Sequence, residues 1–394
     1  MSNKQSTAQR MMQISPFYVM DILAQARELE SEGHDVIHLE VGEPDFITPQ
    51  RVKDAAKQAI DADRTFYTQA TGLPELKGKI SHYYQQRLGA EVNTKNIVIT
   101  PGASGALQLA LSVVVNPGQN VLMADPGYPC NRHFVRLLEA EAKTVNVGPD
   151  TQYQLTHELI DKNWDKHTAA VLLASPANPT GTLVKPEEMQ KIIDVVKLHK
   201  GVLLVDEIYQ GLVYELSDYT ALTFIDDQWR DIFVINSFSK YFSMTGWRLG
   251  WLVVPDAYLS AVERLAQNLF LAPTTVSQFA ALEAFSDENL KVLDARRDEL
   301  HQRRDFLFKG LLDLGFDISV KPGGAFYIYA NVEKFSHDSF SFCEQLLKHA
   351  HVAITPGLDF GDYHPQLHVR FAYTQNIDRL AEALQRIRVF LQQV

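Results

Sequence analysis

From about residue 96 onward, short runs rich in β-branched and apolar residues alternate with longer segments of helical periodicity, and this alternation constrains the fold more than any other feature. It predicts an α/β architecture, a mostly parallel sheet covered by helices, because each parallel strand needs a crossover to reach the next. The expected strands are Asn96 to Thr100, Asn120 to Ala124, Ala169 to Ala174, Val202 to Asp206, Ile232 to Asn236 and Leu249 to Val254. Most are nearly continuous apolar runs, as expected of strands buried on both faces. Several end in polar or glycine-rich residues, and ligands of open α/β sheets bind beyond the carboxyl ends of strands.

After about Thr275 the pattern changes to a long charged helix, Asp287 to Leu314, and shorter strands around Phe316, Phe326, Val352 and His368. This reads as a smaller α+β domain. The first forty or so residues, helical from Tyr18 to Gly33, are too few to fold alone and are expected to pack against it. The expected division is a large domain over 46–275 and a small one from 1–45 with 276–394. A length of 394 residues suits one or two domains.

Composition narrows the function classes. A net charge of -11 works against sequence-independent nucleic-acid binding, which needs clustered cations, so a small-molecule substrate is expected. The longest apolar run lies within Ala106 to Val115, about half of what spans a bilayer, so no membrane segment is expected. The polar start, Met1 to Gln9, offers no secretory signal, and two cysteines, Cys130 and Cys343, suit a reduced cytoplasmic protein. His364 and His368 are four apart but Pro365 interrupts any regular helix, so no metal site is expected. The charged run Asp294 to Arg304 reads as a solvated helix face.

Four strand ends carry the chemistry. In Thr100-Pro101-Gly102-Ala103-Ser104-Gly105-Ala106 a strand turns through small residues into a helix, whose free N–H groups and Ser104 hydroxyl make an anion site or merely a tight connection. In Ser175-Pro176-Ala177-Asn178-Pro179-Thr180-Gly181 a rigid turn either closes on the Asn178 amide or presents it as a donor. Asp206 ends a buried strand, which is costly without a cationic partner, either ordinary or a protonated pyridine nitrogen. Lys240, in Asn236-Ser237-Phe238-Ser239-Lys240-Tyr241, sits where desolvation can lower its pKa toward nucleophilic use.

Taken in this order, with Arg248 eight residues after Lys240, the segments closely resemble class I aminotransferases, the fold type I pyridoxal-phosphate enzymes. The resemblance runs from Val41-Gly42-Glu43-Pro44-Asp45 to Arg370, and the spacings match it, 206 - 178 = 28 and 240 - 206 = 34. It implies an enzyme that moves an α-amino group from an L-amino acid to a 2-oxo acid by a ping-pong mechanism through a Lys240 aldimine. It further implies that Lys240 serves as the base, that Asp206 keeps the pyridine nitrogen protonated, and that Asn178 and Tyr209 bond the phenolic oxygen. Tyr128 would stack on the ring, where many relatives carry tryptophan. Ala103, Ser104, Ser237, Ser239 and Arg248 would hold the phosphate, joined by Tyr67 from a partner subunit, which implies a homodimer with shared sites. Arg370, helped by Gly42 and Asn178, would clamp the substrate α-carboxylate. Ile14, Phe17 and Tyr18 would fold over the site.

Two rival functions share this scaffold. A β-lyase differs mainly after the α-proton leaves, and steady pyruvate and ammonia release from cystathionine would favour it. A transcription regulator would need a basic helix-turn-helix module that this sequence lacks.

Overall fold

The computed structural model describes residues 7–225 and 230–393, so most of the polar start Met1 to Gln9 lies outside the described residues. In chain order the strands are β1 (Ile37–His38), β2 (Ile97–Thr100), β3 (Asn120–Asp125), β4 (Glu141–Asn146), β5 (Thr168–Ala174) and β6 (Val202–Asp206). They continue with β7 (Ile232–Ser237), β8 (Gly250–Val253), β9 (Tyr327–Asn331), β10 (Val352–Ala353), β11 (Thr355–Pro356) and β12 (His368–Ala372). Seven of them form one sheet in the order β2-β8-β7-β6-β5-β3-β4, and β8 alone runs against the rest.

All six strands expected for this sheet form. Their alternating side chains enter two apolar clusters: Val171, Leu203 and Val205 on one face, Ala170, Leu172 and Leu204 on the other. Helices therefore cover both faces, which is why the runs read as continuously apolar. The sequence reading missed β4, an edge strand whose residues Glu141-Ala142-Lys143-Thr144-Val145-Asn146 bury only Val145 fully.

Because the strands are parallel, Thr100, Asp125, Ala174, Asp206 and Ser237 end on one edge of the sheet. Gly250 starts the reversed β8 on that edge, paired with both Thr100 and Ser237.

The remaining elements form smaller sheets. β9, β11 and β12 make an antiparallel sheet with β12 in the middle, and β1 pairs in parallel with β10, tying Ile37 to Val352. Helix Tyr18–Ser31 is capped by the Asp359 carboxylate, which accepts from the Tyr18 and Val19 N–H groups at 2.7 and 2.8 Å. The strand expected around Phe316 does not form; only an isolated bridge joins Asp317 to Asn331.

The long helix, Asp287–Asp313, corrects a second expectation. Its charged run is not wholly solvated, for Arg303 and Arg304 are buried. Arg303 bonds Asp45 at 2.7 Å and Glu299 at 2.5 Å, and Arg304 bonds Glu215 through both terminal nitrogens at 2.8 and 2.5 Å. Asp45 and Glu215 are distant in sequence, so local charge alternation could not reveal them.

Candidate active site

A cavity of about 320 Å³ opens at the strand-end edge of the large sheet, within the size range of small-molecule sites. Eleven of the residues expected to hold cofactor or substrate line it: Gly42, Ala103, Ser104, Tyr128, Asn178, Asp206, Ser237, Ser239, Lys240, Arg248 and Arg370. Tyr209 stands just behind, its ring centroid 5.7 Å from Lys240 Nζ. Tyr67 does not reach the cavity; it projects from the surface with 82% of its area exposed.

Lys240 follows the turn after β7 and donates from Nζ to the Gly42 carbonyl at 2.7 Å. Burial, reinforced by the Arg370 and Arg248 charges, lowers its pKa to about 8, against the opposing pull of Glu43 and Asp206. A neutral, nucleophilic amine is thus accessible near neutral pH.

Asp206 is buried at the end of β6, where its Oδ1 accepts, among the described residues, only from the Ile208 N–H at 3.2 Å. Burial raises its pKa to about 7, although the Ile208 bond and the Lys240 charge pull the other way. Its neighbour Glu207 is equally buried but accepts from Ala221 N–H, Thr220 Oγ1 and Gln210 Nε2. Of the two, Asp206 is the carboxylate left facing the cavity without a cation in hydrogen-bond reach, among the described residues.

The anion cradle is built from close backbone approach. Gly102, at φ +70°, opens helix Gly102–Val114, and a Cβ on it would lie 2.7 Å from Arg248 Nη2. A Cβ on Gly250 would lie 2.9 Å from the Ala103 nitrogen. Glycine therefore lets Arg248 and β8 crowd the helix start, where free N–H groups favour negative charge. Arg248 donates to the Thr245 carbonyl at 3.2 Å and meets no carboxylate among the described residues. Ser237 and Ser239 line the same end, but Ser237 Oγ is also engaged locally, accepting from the Ser239 N–H at 3.0 Å.

At the opposite end Arg370, in the middle strand β12, is 5% exposed. It donates to Asn178 Oδ1 at 2.8 Å, the Glu40 carbonyl at 2.5 Å and Thr355 Oγ1 at 3.1 Å. All three acceptors are neutral, and its Nε has no partner. A buried guanidinium in that state has unused capacity for an anion. The turn is closed by backbone bonds from Ala177 to Thr182 and from Gly181 to Ala177, and it presents the Asn178 side-chain oxygen to Arg370.

Tyr327 was missed by the sequence reading. It lines the cavity, and its hydroxyl bonds that of Tyr209 at 2.9 Å. The signal was slight: on β12 Arg370 faces Tyr329 of β9, and Tyr327, two residues along, shares that face. Of the expected cover, Phe17 lines the cavity with Val19, Met20 and Leu23, whereas Ile14 and Tyr18 do not.

The tempting residues have local explanations. The His368 ring stacks on Tyr329 and bonds the His364 carbonyl at 3.0 Å. Cys130 and Cys343 are free thiols, both pushed up in pKa by burial. One cluster, Glu215, His301 and Asp305, brings ligand-type atoms together, but Arg304 and Lys321 already pair with both carboxylates.

The profile of the family Aminotransferase class I and II matches residues 34–387. The chain belongs to the class I and II aminotransferases. Among its relatives is the valine–pyruvate aminotransferase of Mycobacterium tuberculosis, 38% identical over 96% of this chain and 97% of the relative. The (5-formylfuran-3-yl)methyl phosphate transaminase of Methanocaldococcus jannaschii is also 38% identical, over 98% and 99% of the two chains. In structure, an aminotransferase from Mycobacterium tuberculosis superposes with a TM-score of 0.95 at 37% identity, covering 99% of this aminotransferase and all of its counterpart. Members of the family depend on pyridoxal phosphate. No helix among the described residues of this aminotransferase is long and apolar enough to cross a membrane.

Proposed function

We propose that this aminotransferase binds pyridoxal phosphate in the cavity beneath Tyr128 and transfers the α-amino group of L-amino acids with neutral side chains to a 2-oxo acid. The observation that carries the reading is the shared cavity: a buried lysine, an unpaired buried carboxylate and a buried arginine without a carboxylate line one space. The donor set fits the cofactor. Arg248, Ser237, Ser239 and the Ala103–Ser104 helix start suit a phosphate, and Asp206 suits a protonated pyridine nitrogen.

Bound there, pyridoxal phosphate supplies an aldehyde for the amino group and a ring that withdraws electrons from the substrate α-carbon. Lys240 would hold the cofactor through its amine and, once displaced, take the proton from the substrate α-carbon. Asp206 would keep a positive charge on the ring nitrogen, and in doing so gain the cation its burial demands. Tyr209 and the Asn178 amide would donate to the ring oxygen, and Tyr128 would cover one ring face. Arg370, with the Gly42 N–H, would clamp the α-carboxylate that donor and acceptor share, so the two use one site in turn.

Side-chain preference follows from the remaining lining. Phe17, Val19, Met20, Leu23, Val41 and Leu107 are apolar, and among the described residues only Arg248 and Arg370 bring guanidinium groups to this cavity. A distal carboxylate would find no second arginine, so alanine, branched-chain and aromatic donors should outperform aspartate. The relative named for valine and pyruvate supports this reading, though others are named for aspartate.

A homodimer would bring Tyr67 of a second copy to the phosphate, and the exposure of Phe66 and Tyr67 supports that arrangement. The division into 46–275 and a second unit of 1–45 with 276–394 draws support from the pairing of β1 with β10. The two free thiols suit a cytoplasmic setting.

Borohydride reduction of the yellow loaded protein, followed by peptide mapping, tests the central assignment. The reduced adduct should map to Lys240, and Lys240→Ala should lose both adduct and turnover. An adduct on another lysine would overturn it.

A further inference from the structure

β9 begins at Tyr327, just after the glycine pair Gly323 and Gly324. The Tyr327 side chain meets three parts of the cavity that lie far apart in the chain. The Arg370 guanidinium sits 4.3 Å from its ring centroid and 4.9 Å from that of Phe360. The hydroxyl stands 2.9 Å from the Tyr209 hydroxyl. The same oxygen presses on Gly42, where a Cβ would come within 2.0 Å of it and 3.1 Å of the ring carbon that bears it. Gly42 in turn supplies the carbonyl that receives Lys240 Nζ. A phenylalanine would fill the same apolar space, so the oxygen has to be explained by these contacts.

Given the roles of Lys240, Tyr209 and Arg370 proposed above, we propose that Tyr327 is a positioning residue of the amino-transfer site. Its ring is a shelf for the carboxylate-binding arginine, and its hydroxyl ties the Tyr209 phenol to the backbone on which Lys240 docks. When Tyr209 donates its proton toward the cofactor ring oxygen, its own oxygen is free to accept from Tyr327. A phenol that accepts one hydrogen bond is a stronger donor of the next. Removing the Tyr327 hydroxyl therefore weakens donation from Tyr209, leaves the ring oxygen more basic, and lets the neighbouring proton persist to higher pH. The shelf beneath Arg370 is untouched by that change.

The test uses Tyr327→Phe, Tyr327→Ala and Gly42→Ala, with the Gly42→Ala/Tyr327→Phe pair. Tyr327→Phe should raise the pH midpoint of the visible absorption change of the loaded protein by about half a unit, roughly one hydrogen bond's worth. It should lower kcat about fivefold and leave the KM for the amino donor within about twofold. Tyr327→Ala should raise that KM as well, because the shelf is gone. In cofactor-free protein, Gly42→Ala should lower Tm, and adding Tyr327→Phe should restore most of the loss, since the remaining clash needs a shift of only a few tenths of an ångström. An unchanged midpoint in Tyr327→Phe, or a Gly42→Ala defect indifferent to the hydroxyl, overturns the proposal. Borohydride mapping separates the failures: an adduct at Lys240 leaves the proposed function standing while Tyr327 loses its role, and an adduct elsewhere removes both.

Discussion

Arg303 and Arg304 in the long helix, and Arg370 in β12, are about equally hidden from water, at 2%, 0% and 5% exposure, but their surroundings answer them differently. The helix pair meets carboxylates: Asp45 and Glu299 for Arg303, Glu215 and Asp305 for Arg304, with the Thr374 and Pro322 carbonyls as further acceptors. Arg370 meets an amide oxygen, a carbonyl and a hydroxyl, and one of its nitrogens meets nothing. A buried guanidinium strongly favours an anion, so the first two are saturated by the chain itself and the third is not. Under the proposed function, the contrast would separate arginines that hold the fold from one kept for the substrate carboxylate.

The largest expected effect is on turnover. Arg370→Lys should lose about 2 to 4 kcal/mol in kcat/KM, because a point charge cannot reproduce a two-pronged pair with a carboxylate. The loss should be similar for alanine, aromatic and acidic donors. A defect confined to dicarboxylic donors would move Arg370 to the side-chain pocket and erase its contrast with the helix pair.

Next comes the cation beside it. With its pKa lowered to about 8, Lys240 should be on the order of 100-fold more reactive at pH 8 than an ordinary lysine, since the neutral fraction grows tenfold per pH unit below the pKa. Stopped-flow capture of pyridoxal phosphate by cofactor-free protein should therefore speed up with pH and level off above about 8. Arg370→Met should move that midpoint upward, because a neighbouring positive charge is one cause of the depression. A midpoint near that of a free lysine would show that the cavity does not desolvate Lys240.

On stability the two kinds of arginine should part in the other direction. Arg304→Met should lower unfolding free energy in urea by about 2 to 3 kcal/mol; Glu215 and Asp305 are half exposed and can rehydrate, which keeps the loss below that of a fully buried broken pair. Arg370→Met should stay within about 1 kcal/mol, since it removes a buried charge that the fold itself leaves unanswered. Equal losses would end the distinction.

The smallest effect concerns a histidine that is answered as the helix arginines are. His38 bonds Glu40 at 2.7 Å and Glu30 at 3.1 Å, and the Glu40 bond, chiefly, raises its pKa to about 9. A raised folded-state value means the contribution is complete below the unfolded value near 6.5 and is lost as pH climbs through about 9. Because the ring is only half buried, about 1 kcal/mol is the expected scale. Urea titrations across that window should show the decline in the parent protein and a flatter line in His38→Gln.

Sequence legibility follows the same physics. Strands buried on both faces, such as Val202–Asp206, announce themselves by unbroken apolar runs, and the reactive residues at their ends come with them. The edge strand Glu141–Asn146 does not, since half its surface faces water. Long-range pairing is equally silent. Nothing near Arg304 names Glu215, and nothing near Gly42 names Tyr327. Arg370 was reached through the resemblance, and the structure sets it among the apolar residues Val369, Phe371 and Ala372 of its strand.

The parallel pairing of β1 with β10 also sets an order of assembly. Ile37 waits for Val352, and 352 - 37 = 315 residues take roughly 16 to 63 seconds to synthesise at the usual 5 to 20 residues per second. During that interval Lys240 can already stand at the end of its strand, while the segment that carries Gly42 has no β10 to hold it. The lysine is in place before its dock. A chain stopped at residue 340 should accordingly lose residues 18–41 to protease first, and a full-length chain that loses them at the same rate would remove the timing from the fold.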